Sequence, residues 1–359
     1  MQGSPNLDLI LIGRNEARHL PATLQAAQAA AARLHAALGW QTLTWYVDSD
    51  SSDGSPDIAA AHGARVLLAH PGYHSAANGR ASGLVLTQSE FVMLLDADCT
   101  LHPDWLAEAC AYLLAHPAVG GVGGLADSMR RVGEQTVRVQ DRRVPPPEGS
   151  TVNNHVGYGG HGFLYRRAAL DEAGGYEPGL IAQEEALLYC RLRRRGWGVL
   201  KLPLPMMTHW DDDLESGSRG WQKFRGLVQK NAFYQGIALR RALFEERVGV
   251  AIFGFYRLQL AHAAWLLLAG GLIVLSLAQG WATPPLLAAA ALSALYLAFL
   301  YHQKQSTLLA LVSLPLLTIY VAGITWSLLT GRPRVAWGAH HQPEYTTRLK
   351  EINSPNRKG

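Results

Sequence analysis

Asp96 and Asp98 stand one residue apart at the end of an apolar run, Phe91-Val-Met-Leu-Leu-Asp-Ala-Asp98. Five apolar residues suit a strand covered on both faces and are too few for a helix of their own. On a strand, side chains at i and i+2 share a face and lie about 7 Å apart. Carboxylates there are costly to bury unless something beyond the sheet uses them. Ligands of open α/β sheets sit outside the carboxyl ends of the strands, where this pair would lie. A divalent cation holding a diphosphate suits the place, since Mg2+ takes one or two carboxylates and leaves its other positions to phosphates and water. A strand running into a turn with a solvated aspartate is the alternative, and the pair alone does not separate the two.

Positioning such a pair takes a sheet, and the chain supplies its strands. Leu7–Ile12 reads as a first buried strand, followed by Gly13-Arg14-Asn15-Glu16 and a helix to about Leu38. Leu43–Val47 makes a second strand, ending in Asp48-Ser49-Asp50-Ser51-Ser52-Asp53-Gly54 and a helix through Ala61. Two strand–loop–helix units in succession imply a parallel crossover. Further strands are expected at Arg65–Leu68, Val119–Val122, Gly162–Tyr165 and Val199–Leu202. On these residues alone Asn15 and Glu16 read as helix capping, and the Asp/Ser loop reads equally as a nucleoside holder or a cap.

Arg80, close to the start of a helix near Ala81–Thr87, could meet a phosphate or simply face solvent. Glu184 and Glu185 open a helix over Ile181–Arg195. One acid in a first turn is explained by the helix dipole, and a second beside it points toward a general base. His209 is either a structural histidine or a ligand. Glycine density in Gly157-Tyr-Gly-Gly-His161-Gly162 implies a backbone approached closely by a ligand. Pro145–Gly149 marks a long loop.

The second half has another character. Between Leu258 and Gln303, and again between Gln305 and Gly331, there is no Asp, Glu, Lys or Arg. Three stretches approach the roughly 20 apolar residues that a membrane span needs: Gln259–Gln279, Pro284–Tyr301 and Thr307–Thr330. Before them, Arg219–Arg257 holds eight Lys/Arg against Glu245 and Glu246, with aromatics interleaved, as an interfacial helix would. Basic segments stay cytoplasmic. Three spans would put the tail, with Arg332, Arg334, Arg348 and Lys350, outside; an extra span at Val248 onward, or a re-entrant stretch, would keep it inside.

Net charge is +4 over 359 residues, and no nucleic-acid motif accompanies it. Cys99, Cys110 and Cys190 lie at unpatterned spacing, against a disulfide framework or a zinc site. No signal peptide is expected at the start, because Leu7–Ile12 is short and interrupted by Asp8.

Asn15-Glu16, the Val47–Gly54 loop, Arg80, Asp96-Ala97-Asp98 and Glu184-Glu185 occur in the order seen in family 2 glycosyltransferases, which the sequence resembles over about residues 6–235. Asp96–Cys99 and the stretch Gly174-Gly-Tyr-Glu-Pro-Gly-Leu-Ile-Ala-Gln-Glu-Glu185 resemble a bacterial, membrane-attached subgroup. The resemblance implies an α/β GT-A domain, Rossmann-like with a mostly parallel sheet, over residues 1–215. Basic interfacial helices (216–257), about three transmembrane helices (258–331) and a tail (332–359) would follow. It implies that Asp48 binds the base, with Asn15 and Glu16 near the nucleoside, Arg80 facing the diphosphate and Asp96 at the ribose or the metal. Asp98 would coordinate Mg2+ or Mn2+, His209 would lie close by, and Glu185, paired with Glu184, would act as base.

Gln222 and Arg225 are similar to the Gln-x-x-Arg-Trp of processive synthases, but Gly226 replaces the tryptophan, which counts against processivity. The implied reaction is inverting transfer from an NDP-sugar, UDP-linked by expectation, to a hydroxyl of a lipid-linked acceptor. It would take place at the cytoplasmic face of the inner membrane, with no nucleic-acid partner. A processive polysaccharide synthase, a polyprenyl-phosphate glycosyltransferase and an inactive nucleotide-binding scaffold are the alternatives.

Overall fold

Leu7–Gly13 forms the first strand, β1, and every residue in it except the glycine is buried. In the computed structural model β1 lies between β2 (Thr42–Asp48) and β4 (Phe91–Asp96), parallel to both. The structure describes residues 6–69, 75–132, 135–139, 161–211, 234–245, 256–304, 307–331 and 350–352. The chain divides into two compact units, Met1–Glu215 with Gly338–Gly359, and Ser216–Trp337.

Among the described residues the first unit is built on one ten-stranded sheet. Its other strands are β3 (Arg65–Leu68), β5 (Cys99–Leu101), β6 (Val119–Val132), β7 (Gln135–Val139), β8 (Gly162–Arg166), β9 (Gly198–Asp211) and β10 (Lys350–Ile352). The order is β10-β3-β2-β1-β4-β8-β6-β9-β5, with β7 paired to β6. Pairing is parallel from β3 to β4 and again between β6 and β9, and antiparallel at the other junctions, so the sheet is mixed where a mostly parallel one was expected.

Alternation along β1 sorts the core into two layers. Leu7, Leu9 and Leu11 face a cluster completed by helices α1 (Leu20–Leu38), α2 (Ser55–Ala61) and α4 (Trp105–Ala115). Ile10 and Ile12 face the other way, against α3 (Ala76–Leu86), α5 (Arg167–Ala173) and α6 (Glu184–Arg194). Close packing limits side-chain size here: a Cβ on Gly83 of α3 would come within 2.6 Å of Ile10 Cγ2. Asp8 is the one carboxylate within β1, and it accepts hydrogen bonds from Trp45 Nε1 at 2.9 Å, Gln88 N at 3.1 Å and Ser89 N at 2.9 Å. A buried donor left without a partner costs about 1–3 kcal/mol. Asp8→Ala is therefore expected to lower the melting temperature by several degrees, read by thermal scan; an unchanged melt would contradict this role.

The second unit contains α7 (Gln235–Arg240), a π-helical turn (Arg241–Glu245) and three long helices, α8 (Arg257–Ala278), α9 (Thr283–Lys304) and α10 (Thr307–Thr330). All three are long and apolar enough to cross a membrane. Large apolar side chains such as Leu267, Leu287, Leu295 and Leu329 lie exposed on them, as lipid contact would require. Inside, His262 of α8 bonds Tyr296 Oη of α9 and Thr318 Oγ1 of α10, each at 2.9 Å. Arg240 donates to Leu328 O at the end of α10, where helix carbonyls lack intrahelical donors.

Candidate active site

The carboxyl ends of β1, β2 and β4 meet at a cavity of about 190 Å³ lined by Ile12, Gly13, Arg14, Glu16, Ser49, Ser75, Ala76, Asp96, Ala97 and Asp98. Gly13 is required there: a Cβ would fall 2.8 Å from Ala97 Cβ and 3.0 Å from Tyr46 Oη. Beside the cavity, the loop after β2 knits itself to the loop after β1. Ser51 Oγ accepts from Asn15 N at 2.8 Å, Ser55 Oγ accepts from Glu16 N at 2.9 Å, and Asn15 Oδ1 accepts from Ser52 N at 2.8 Å. Asn15 and Asp50 both hold positive φ, 59° and 67°, which short polar side chains tolerate best after glycine. Asp48 is buried and braces this loop, accepting from Tyr46 Oη at 3.1 Å, Ser51 N at 2.8 Å and Ser51 Oγ at 2.5 Å. The base-binding aspartate expected from the sequence thus has both oxygens engaged by the protein.

Asp96 and Asp98 part company after β4. Asp96 Oδ1 accepts from Arg80 Nη2 at 2.9 Å, and its Oδ2 lies 3.2 Å from His161 Nδ1. Asp98 Oδ2 lies 3.2 Å from His209 Nε2, and Oδ1 accepts from Cys99 Sγ at 3.4 Å. Strand pairing brings both histidines in. His209 sits opposite Cys99 where β5 pairs β9, and the His161 carbonyl accepts Asp96 N at 2.8 Å beside the β4–β8 pairing. The two imidazoles stack with centroids 3.8 Å apart. Burial raises the Asp98 carboxyl, but the bond from His209 and the charges of His209 and His161 outweigh it and hold the group below the usual carboxylate range. One ligand atom each from Asp98, His161 and His209 lies within 4.8 Å of the others, and a carboxylate with two imidazoles suits a divalent transition-metal ion.

Arg80 is the main departure from expectation. Its side chain is 4% exposed, and its guanidinium pairs with Asp96 at 2.9 Å, Glu184 at 3.1 Å and Glu185 at 2.7 Å. A buried guanidinium needs anionic partners, and here they are carboxylates of the protein. Burial pulls its pKa down, and Asp96, Glu185, Tyr176 and Glu184 together more than reverse this, leaving it well above the usual value. Glu185 does not line the cavity as described; this one guanidinium separates it from Asp96, which does. What faces the cavity from α3 is its amino terminus, where Ser75 Oγ accepts from Asn78 N at 3.1 Å.

Glu16, Asp96 and Asp98 are thus brought together on the wall, with His209 beside Asp98, Glu184 and Glu185 behind Arg80, and Asp48 and Asn15 inside the loop brace. Gln222, Arg225 and Pro145–Gly149 lie outside the described residues. Sequence reasoning did not single out His161 as a ligand. Its signal was positional, a histidine directly before a strand that pairs antiparallel to the strand carrying the aspartates.

Residues 14–174 match the model of glycosyl transferase family 2. The match covers a little under half of the chain. The sheet has the GT-A arrangement, and a mannosyltransferase from Pyrobaculum calidifontis, PcManGT, solved in complex with GDP-Man and Mn2+, superposes with a TM-score of 0.57. That likeness covers 92% of this chain and 89% of the other at 16% identity, which shows a shared fold. A probable glucomannan 4-beta-mannosyltransferase of Oryza sativa subsp. japonica is 26% identical over 174 residues, 44% of this chain. The chain spans only 29% of that relative's length.

Proposed function

We propose that the protein is a membrane-bound, metal-dependent, inverting glycosyltransferase. It moves a sugar from an NDP-sugar to a hydroxyl of a lipid-linked acceptor at the cytoplasmic face of the inner membrane. The observation that supports it most is the Asp98, His161 and His209 group beside a cavity walled by Asp96, Glu16 and Ser49. Ser49 and Glu16 face the nucleoside, on a loop that Asp48 and Asn15 hold in shape. Arg14 and the amino terminus of α3 face the diphosphate, taking the part first expected of Arg80. A Mg2+ or Mn2+ ion bound at Asp98 would neutralise charge on the departing diphosphate.

Glu185 accepts the acceptor hydroxyl's proton as that oxygen forms its bond to the anomeric carbon. The bond from that carbon to the diphosphate oxygen breaks on the opposite face, NDP leaves with the electron pair, and the configuration inverts. Arg80 orients Glu185 and compensates its charge, and Glu184 holds the same guanidinium in place. The three apolar helices support a lipid-borne acceptor, and the basic segment before them supports the cytoplasmic side.

The test uses the full-length protein in detergent with Mn2+ or Mg2+, a lipid extract, and a panel of UDP- and GDP-sugars. A UDP-sugar is the expected donor, and GDP-mannose, the ligand of PcManGT, is its rival. One donor should release NDP at least about 10²-fold faster than with Asp98→Ala, the scale of loss when one charge-stabilising group is removed. Release that never exceeds this control would overturn the enzyme reading.

A further inference from the structure

We propose that His161 is a third protein ligand of the cation site, and that its imidazole, added to that of His209, makes the site prefer Mn2+ over Mg2+. The inference rests on the reading of a cation at Asp98. It begins with Asp96, the more obvious candidate ligand: each of its oxygens already has a protein partner, Arg80 Nη2 at 2.9 Å and His161 Nδ1 at 3.2 Å. A carboxylate that engages one nitrogen of a histidine fixes the ring and its tautomer, and leaves the other nitrogen as the basic, metal-facing one. With Nδ1 turned to Asp96, His161 presents Nε2. Its ring stacks on His209 at 3.8 Å, whose Nε2 in turn lies 3.2 Å from Asp98 Oδ2. Arg80, whose side chain is 4% exposed, anchors the far end of the chain, so the orientation of His161 depends on the ion pair that this arginine makes with Asp96.

Selectivity follows from donor type. Mg2+ is a hard ion that binds through oxygen and dehydrates reluctantly, and a site offering one carboxylate and two imidazoles leaves it a single favoured protein ligand. Borderline transition ions accept imidazole readily. Among the described residues, Asp98, His161 and His209 form the one group with this spacing of ligand atoms.

Titrating the full-length protein with Mn2+ alone, followed by the electron paramagnetic resonance of free Mn2+, and with Mg2+ alone, followed by calorimetry, tests the proposal without any donor sugar. Wild type should bind Mn2+ at least about tenfold more tightly than Mg2+. His161→Ala should weaken Mn2+ by about 10–100-fold, the usual penalty for disturbing a metal's ligand shell, and change Mg2+ by less than about twofold. Should the alanine variant not fold, His161→Gln, which exchanges the imidazole for an amide oxygen, should narrow the Mn2+ preference by about tenfold. Unchanged Mn2+ affinity in the His161 variants, together with its loss in Asp98→Asn, would overturn the role of His161 and leave the cation at Asp98 standing. Unchanged affinity in Asp98→Asn would overturn the cation reading itself.

Discussion

Arg80→Met should destabilise the amino-terminal domain by about 3–5 kcal/mol, the range for removing one partner of a buried ion pair. The loss exceeds that of an ordinary salt bridge because one guanidinium serves Asp96, Glu184 and Glu185 at once, with its side chain 4% exposed. Without it three carboxylates crowd a poorly solvated space, and they repel until protons or water enter. Arg80→Lys should rescue little, since an ammonium is a point charge and cannot reproduce the planar fork that reaches three groups. Denaturant unfolding measures the loss. A wild-type midpoint for Arg80→Met would mean that the carboxylates relax into solvent, and the cluster would lose its standing as a positioning device.

Glu185→Gln should leave the fold intact and lower turnover onto a hydroxyl acceptor by about 10²–10⁴-fold, the usual contribution of a general base. The amide keeps an oxygen that can accept from Arg80 Nη1, now 2.7 Å from the carboxylate, so the side chain stays in place while its basicity is gone. Affinity for the donor, measured by calorimetry, should change little. The same variant separates two acceptors. A polyprenyl phosphate attacks through an oxygen that is already ionised, and turnover would then survive the substitution nearly intact.

Much of this domain could be read from its sequence because β1, β2 and β4 are apolar runs bounded by turn residues, and tertiary packing agreed with them. The long strands were less legible. Only Val119–Val122 and Val199–Leu202 stood out, whereas β6 runs on to Val132 and β9 to Asp211. Pro203 and Pro205 interrupt the β9 pattern, and the register shifts between Gly123 and Ala126 absorb them, as strand prolines require. That extension carries His209 to Asp98, so a feature invisible to local pattern completes the site. Arg80 shows the converse. Its helix starts at Ala76, earlier than the Ala81 expected, which places the arginine in the second turn and among buried residues. Sequence spacing located the residue, but not the direction in which it points.

The three-residue strand β10 has a consequence for topology. It hydrogen bonds in antiparallel register to β3, Lys350 opposite Leu68 and Ile352 opposite Val66. No backbone ladder forms through lipid, so Lys350 shares an aqueous compartment with the domain whose sheet it joins. A polypeptide that departs that sheet at Asp211 and rejoins it at Lys350 completes a round trip, and a round trip traverses any barrier with even parity. If each of α8, α9 and α10 crosses a bilayer, their odd number does not by itself complete that round trip between Asp211 and Lys350.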